Sequence, residues 1–135
     1  MRSFNVATES RDQFVDITQR VARHVETESY RQGLVTVFVP HTTAGVTINE
    51  NADPDVKHDM LKQLDAMVPW DQPFYRHAEG NSAAHVKASM MGSSVTVPFE
   101  KRLKLGRWQG IYLCEFDGPR QREVWVHVEG IPQSD

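Results

Sequence analysis

From Val35 to Val39 every residue is β-branched or aromatic, and Pro40 then withdraws a backbone donor. Branching at Cβ crowds a helix and suits a pleated strand, so Leu34-Val35-Thr36-Val37-Phe38-Val39 reads as a strand ending at the proline. Both of its parities are apolar, which predicts cover on both faces. His41 follows at once, in phase with Val35, Val37 and Val39, and is thereby placed at the rim of a core.

The flanking patterns supply the other elements. Gln13 to Ile17 reads as a short strand, after which Thr18 is placed to cap a helix with Val21, Ala22 and Val25 on one face. Thr43 to Asn49 alternates as a second strand. Asp53-Pro54 matches an N-cap followed by proline at the first helical position, and Val56, Met60, Leu61, Leu64 and Met67 recur at helical spacing until Pro69. Trp70 to Gly80 is aperiodic and reads as a long functional loop. Asn81 or Ser82 caps a helix running to about Met91, which Gly92 ends. Val95 to Phe99, Trp108 to Phe116 and Glu123 to Val128 are strands, the last two joined as a hairpin through Asp117-Gly118-Pro119-Arg120. Without a regular βαβ alternation, the class is α+β: antiparallel or mixed sheets with two to three helices on one side.

The totals narrow the function. A chain of 135 residues suits one domain, read as 1–135. Fifteen Lys and Arg against 18 Asp and Glu give a formal charge of −3, with no bulk attraction to nucleic acid or anionic membrane. No apolar run approaches the roughly 20 residues that span a bilayer. The one cysteine, Cys114, has no internal disulfide partner, and the N-terminus lacks a signal-peptide pattern, so the cytoplasm is the expected compartment.

Against this background several polar residues break the apolar pattern. Glu115 is in phase with Ile111 and Leu113, and Glu50 with Val46 and Ile48. Ionisable groups on such faces need partners, as buried ion pairs or as site residues. For Glu115 a structural pair with Arg120 or a lysine and a functional role stand level; for Glu50 a structural role leads. His77 in the loop and His85 on the next helix carry the side chain most used as a metal ligand and as a general base near neutral pH. Their spacing is not that of a helical zinc pair, and a third ligand would come from His41 or an acid such as Asp53. His24 and His58 read as surface, and His127 as an outer strand face. Gly92-Ser93-Ser94 and Thr42-Thr43-Ala44-Gly45 offer hydroxyls and amides to a phosphate, without the form of a P-loop. Arg120 is read either as a turn-locking partner of Asp117 or as an anion clamp.

Three ordered blocks are more specific. His41-Thr42-Thr43-Ala44 with Asn49-Glu50-Asn51-Ala52-Asp53-Pro54-Asp55-Val56 resembles the signature of the YjbQ family. His77, Asn81-Ser82-Ala83-Ala84-His85-Val86-Lys87-Ala88-Ser89 and Gly92 resemble its central histidine block. Leu105-Gly106-Arg107-Trp108-Gln109-Gly110-Ile111-Tyr112 through Glu115-Phe116-Asp117-Gly118-Pro119-Arg120 resembles its C-terminal signature.

The resemblance implies a small α+β protein that assembles as a homotrimer, and a secondary thiamine-phosphate synthase activity. That reaction joins an aminopyrimidine methyl diphosphate to a thiazole phosphate and releases pyrophosphate; in the family it is regarded as a low side activity. Carried over by motif, the site comprises His41, His77 and His85 with Asp53, Asn81 and Glu115. In such a transferase His77 and His85 would meet the leaving diphosphate, directly or through a divalent ion (zinc or magnesium) that His41, His77 and His85 would hold. Lys87, Ser93 and Arg120 would contact phosphate, and no organic cofactor is expected. The same residues also suit a metal-dependent hydrolase of a small phosphorylated or amide substrate, or a trimeric ligand-binding protein without turnover.

Overall fold

The strand patterns resolve into two antiparallel sheets, which a computed structural model describes over residues 1–133. The larger sheet has the order β1 (Arg2–Ala7), β8 (Gln121–Pro132), β3 (Tyr30–Phe38), β5 (Ser94–Glu100) and β6 (Arg102–Leu103). The smaller has β2 (Gln13–Asp16), β7 (Gln109–Glu115) and β4 (Ala44–Glu50). Three helices complete the α+β fold: α1 (Thr18–Thr27), α2 (Pro54–Met67) and α3 (Ser82–Met91). No helix among the described residues is long and apolar enough to cross a membrane.

The core lies in two seams. Val35, Val37 and Val126 of the larger sheet pack against Val46, Ile111 and Leu113 of the smaller, with Val21 and Val25 of α1 in the same cluster. Each such side chain contributes about 1.5–3 kcal/mol by leaving water. On the other face of the smaller sheet, Tyr112, Cys114 and Phe116 pack with Leu64 of α2 and with Ala84 and Ala88 of α3. The two parities of β7 thus serve two different seams.

This layering corrects the reading of β3. Val35 and Val37 are buried, but Leu34 is 49% and Phe38 37% exposed, so only one face is covered. The doubly buried strand is β7, buried from Gly110 to Glu115. A second correction concerns the C-terminal pair: β7 and β8 belong to different sheets rather than to one hairpin, and the turn at 117–120 carries the chain from one layer to the other. β7 already has β2 and β4 on its two edges, so no hydrogen-bonding edge is left for β8.

Local chemistry sets the helix ends near the site. The Asp53 side chain accepts from Asp55 N–H at 2.9 Å with proline at the start of α2. Gly92 ends α3 at φ 91°, a conformation that L side chains rarely adopt. At α1 the cap differs from expectation: Asp16 accepts from the amide and hydroxyl of Thr18, while the Thr18 hydroxyl accepts from Ile111 N–H.

Candidate functional site

An open cleft of about 660 Å³ lies where the end of β3, the segment after it, the α2–α3 loop and the start of α3 meet the β7–β8 turn. Among the expected site residues, His41, His77, Asn81, His85, Ser93 and Arg120 line it. Asp53, Lys87 and Glu115 do not.

Glu115 lies behind the cleft wall, fully buried. Its Oε1 accepts from Thr8 Oγ1 and from Arg122 Nε, both at 2.8 Å, and its Oε2 accepts from Arg122 Nη2 and from the Phe116 and Asp117 amides. Burial raises the cost of the carboxylate charge, but Arg122, the Asp117 amide and Thr8 outweigh it and hold the carboxyl below its ordinary value. Of the two readings, the ion pair is what forms, with Arg122 rather than Arg120 or a lysine. Arg122 Nη2 also donates to Thr43 Oγ1 at 2.8 Å, binding the wall to the residue before β4.

His41 occupies the rim position expected from its phase. Pairing of β3 with β8 ends at Phe38 and Trp125, and beyond that point the His41 ring takes over: Nε2 lies 2.9 Å from Glu123 N and 3.2 Å from Glu123 O. The Nδ1–H tautomer accepts from that amide, and the Nε2–H tautomer donates to that carbonyl. Burial, and then the Arg122 charge, lower the His41 pKa against the opposing pull of the Glu123 backbone contact and the Glu115 and Glu123 charges.

His77 and His85 meet edge to face, with ring centroids 5.5 Å apart. Asn81, the residue before α3, donates from Nδ2 to Asp117 Oδ2 at 2.8 Å. Arg120 donates to the same oxygen at 3.0 Å and to the Asp117 carbonyl at 2.8 Å. Arg120 therefore locks the turn, and it stays exposed in the cleft lining.

Two expected residues lie elsewhere. Asp53 is an exposed helix cap. Lys87 is 1% exposed, with Nζ 3.2 Å from Asp12 Oδ2 and 3.1 Å from Asp65 Oδ1; Arg11 bridges the same two oxygens, closing a ring of alternating charge. Helical phase accounts for this: Lys87 lies on the buried side of α3 with Ala83, Ala84 and Ala88. Nor do the three imidazoles form a ready metal set. Nε2 of His41 is committed to Glu123, and among the described residues no three His, Cys, Asp or Glu side chains converge as ligands.

Arg122, Thr43, Asp117 and Glu79 also line the cleft and were not among the expected site residues. Arg122 left a signal: it is in phase with Val124 and Val126, a charge on an apolar face that needs a buried partner. Thr43 belongs to the segment 42–45, which offers hydroxyls and amides to a phosphate, and Asp117 to the turn read with Arg120; neither is expected from sequence as a site residue in its own right.

The two-sheet scaffold with α2 and α3 on the smaller sheet, and a cleft that carries three histidines, define an α+β class with known relatives. The chain belongs to the YjbQ-like UPF0047 family, whose pattern matches residues 2–131. It is 48% identical to the UPF0047 protein YugU of Bacillus subtilis over 96% of this chain and 99% of that one. It is 44% identical to the UPF0047 protein MJ1081 of Methanocaldococcus jannaschii over 94% and 92% respectively. A crystal structure of a YjbQ/UPF0047 protein from Clostridium acetobutylicum superposes with a TM-score of 0.93 at 51% identity, covering 96% of this chain and 100% of that one. A YjbQ-like protein from Sulfolobus solfataricus superposes at 0.91 with 31% identity, covering 96% and 95%.

Proposed function

We propose that the cleft is the active site of a transferase acting on a small phosphorylated substrate, and that thiamine-phosphate formation is the reaction to test first. The observation that carries this reading is the meeting of His41, His77 and His85 with Arg120 and Arg122 on one cleft of about 660 Å³. The exposed Arg120 guanidinium suits a phosphate or diphosphate, and imidazoles suit proton movement beside it.

In the proposed reaction the methylene C–O bond of the aminopyrimidine methyl diphosphate breaks, its electron pair leaving with pyrophosphate, and the thiazole nitrogen lone pair forms the new C–N bond. Charge develops on the leaving oxygen, so the chemistry needs donors aimed there more than a protein nucleophile. Arg120 and the imidazole rings supply donors, and Arg122, paired with Glu115, holds the wall behind them. His77 and His85 are the groups placed to donate a proton to the leaving pyrophosphate oxygen, and solvent returns it to the ring. Magnesium belongs in the assay because diphosphate oxygens bind it with few protein ligands.

The resemblance also implies a homotrimer. The α2–α3 loop, which places His77 in the cleft and leaves Phe74 71% exposed, is the segment proposed to reach a neighbouring subunit. Sedimentation equilibrium tests the assembly, and loss of activity in a folded monomer tests whether the site is shared.

The decisive assay measures thiamine-phosphate formation by wild type and His85→Ala, purified from a host without its own synthase, with and without magnesium or zinc. Product from the wild type alone supports the reading. Equal traces from both remove it and leave hydrolysis, tested with each phosphorylated compound alone, or binding without turnover.

A further inference from the structure

The imidazoles of His41 and His85 line not one cavity but two. Besides the cleft already described, a second hollow of about 450 Å³ opens beside them, lined also by Thr42, Ser89, Ser93 and Gly92. His41, Thr42, His85 and Ser93 belong to both, so these four form the divide. The compartments differ in chemistry. Arg120, Arg122 and Asn81 are found only on the first, together with the carboxylates of Asp117 and Glu79, of which Asp117 is taken up by Arg120 and Asn81; the second has no charged side chain and offers hydroxyls beside Ala44 and Ala88.

Helix α3 runs between them in a fixed direction. Asn81, which precedes it, lines the first cavity, and Ala88, Ser89 and Gly92 at its other end line the second. The helix field therefore adds positive potential beside the arginines and negative potential at the hydroxyl-lined end. The second floor is also held in place: Gly92 O accepts from Val46 N–H at 3.0 Å, and Ser93 O accepts from Val39 N–H at 2.8 Å. A side chain at Gly45 would come within 2.6 Å of Gly92 O, so β4 and the end of α3 are in close contact there.

We infer that the site is bipartite: the arginine compartment takes the anionic phosphate end of a substrate, and the compartment at the end of α3 takes an uncharged ring bearing hydrogen-bond donors, with the reacting bond at the His41–His85 divide. A ring amine matches the hydroxyls and the negative helix end, whereas a phosphate there meets no fixed cation. This inference rests on the transferase reading for its chemistry, but its test is binding and does not depend on turnover.

The probes are inorganic pyrophosphate and 4-aminopyrimidine, titrated by NMR into wild type, Ser89→Tyr and Arg120→Ala. Ser89 is exposed and lines only the second compartment, and Ser89→Leu serves as a smaller alternative wherever tyrosine impairs folding. Wild type is expected to bind both probes together. Ser89→Tyr should weaken 4-aminopyrimidine at least about tenfold and leave pyrophosphate within about twofold, and Arg120→Ala should do the reverse. Mutual exclusion of the probes, failure of either to bind wild type, or the same loss with both variants overturns the bipartite site. Two independent binding sites without any product would sink the transferase reading alone.

Discussion

Arg122 on β8 donates from Nε and Nη2 to the two carboxylate oxygens of Glu115 on β7, so a single ion pair joins the two sheets behind the cleft. Both side chains are almost wholly removed from water, 5% and 0% exposed. Removing one partner strands the other charge. Arg122→Ala should destabilise the protein by about 3–5 kcal/mol, and Arg122→Lys should recover only part because an ammonium cannot make the paired contact. Urea unfolding measures both; a loss below about 1 kcal/mol for the alanine variant would show that the pair is not what holds the layers.

The same pair gives an acid-sensitive contribution. The folded Glu115 pKa is lowered, so its stabilisation is complete above the ordinary unfolded glutamate value of about 4.3 and is lost as pH falls through the lower folded value. Glu115→Gln should be less stable near neutrality and show a shallower loss of stability below about pH 4. Melting curves across that range decide it, and an unchanged slope counts against Glu115 as the titrating group.

His41 has the opposite charge type and its own sign. Its folded pKa is lowered, so between that value and the unfolded value of about 6.5 the unfolded chain holds more proton. The contribution to stability is therefore full above about pH 6.5 and declines as pH drops toward the folded value. Long-range nitrogen–proton NMR should show the Nδ1–H tautomer at pH 7 and titration below about 6.5. An Nε2–H ring would remove the Glu123 amide bond from the account.

Lys87 offers a test of burial against chemistry. Its Nζ joins Asp12 and Asp65 away from the cleft, and Arg11 lies across the same oxygens. Lys87→Met should cost about 2–3 kcal/mol, less than a fully isolated pair because Arg11 still faces both carboxylates and Asp65 is half exposed. Pyrophosphate affinity should stay within about twofold of wild type. A tenfold loss in a folded variant would return Lys87 to the phosphate contacts.

Much of this protein is written locally. Residues 34–38 could hardly be anything but strand, Asp53-Pro54 starts α2, and Gly92 ends α3, because branching, capping and positive φ act over a few neighbours. The phase of Glu115 and the rim position of His41 were legible for the same reason: periodicity says which side chains share a face. It does not say what that face meets. The outer face of β3 is open and β7 is enclosed, although both carry apolar residues on both parities. The apparent C-terminal hairpin divides between two sheets because both edges of β7 are already taken. Lys87 turns inward because Asp12 and Asp65, 75 and 22 residues away in sequence, arrive beside it. Layer order and long-range charge partners depend on the whole chain packing at once, and these decided which of the expected residues reach the cleft.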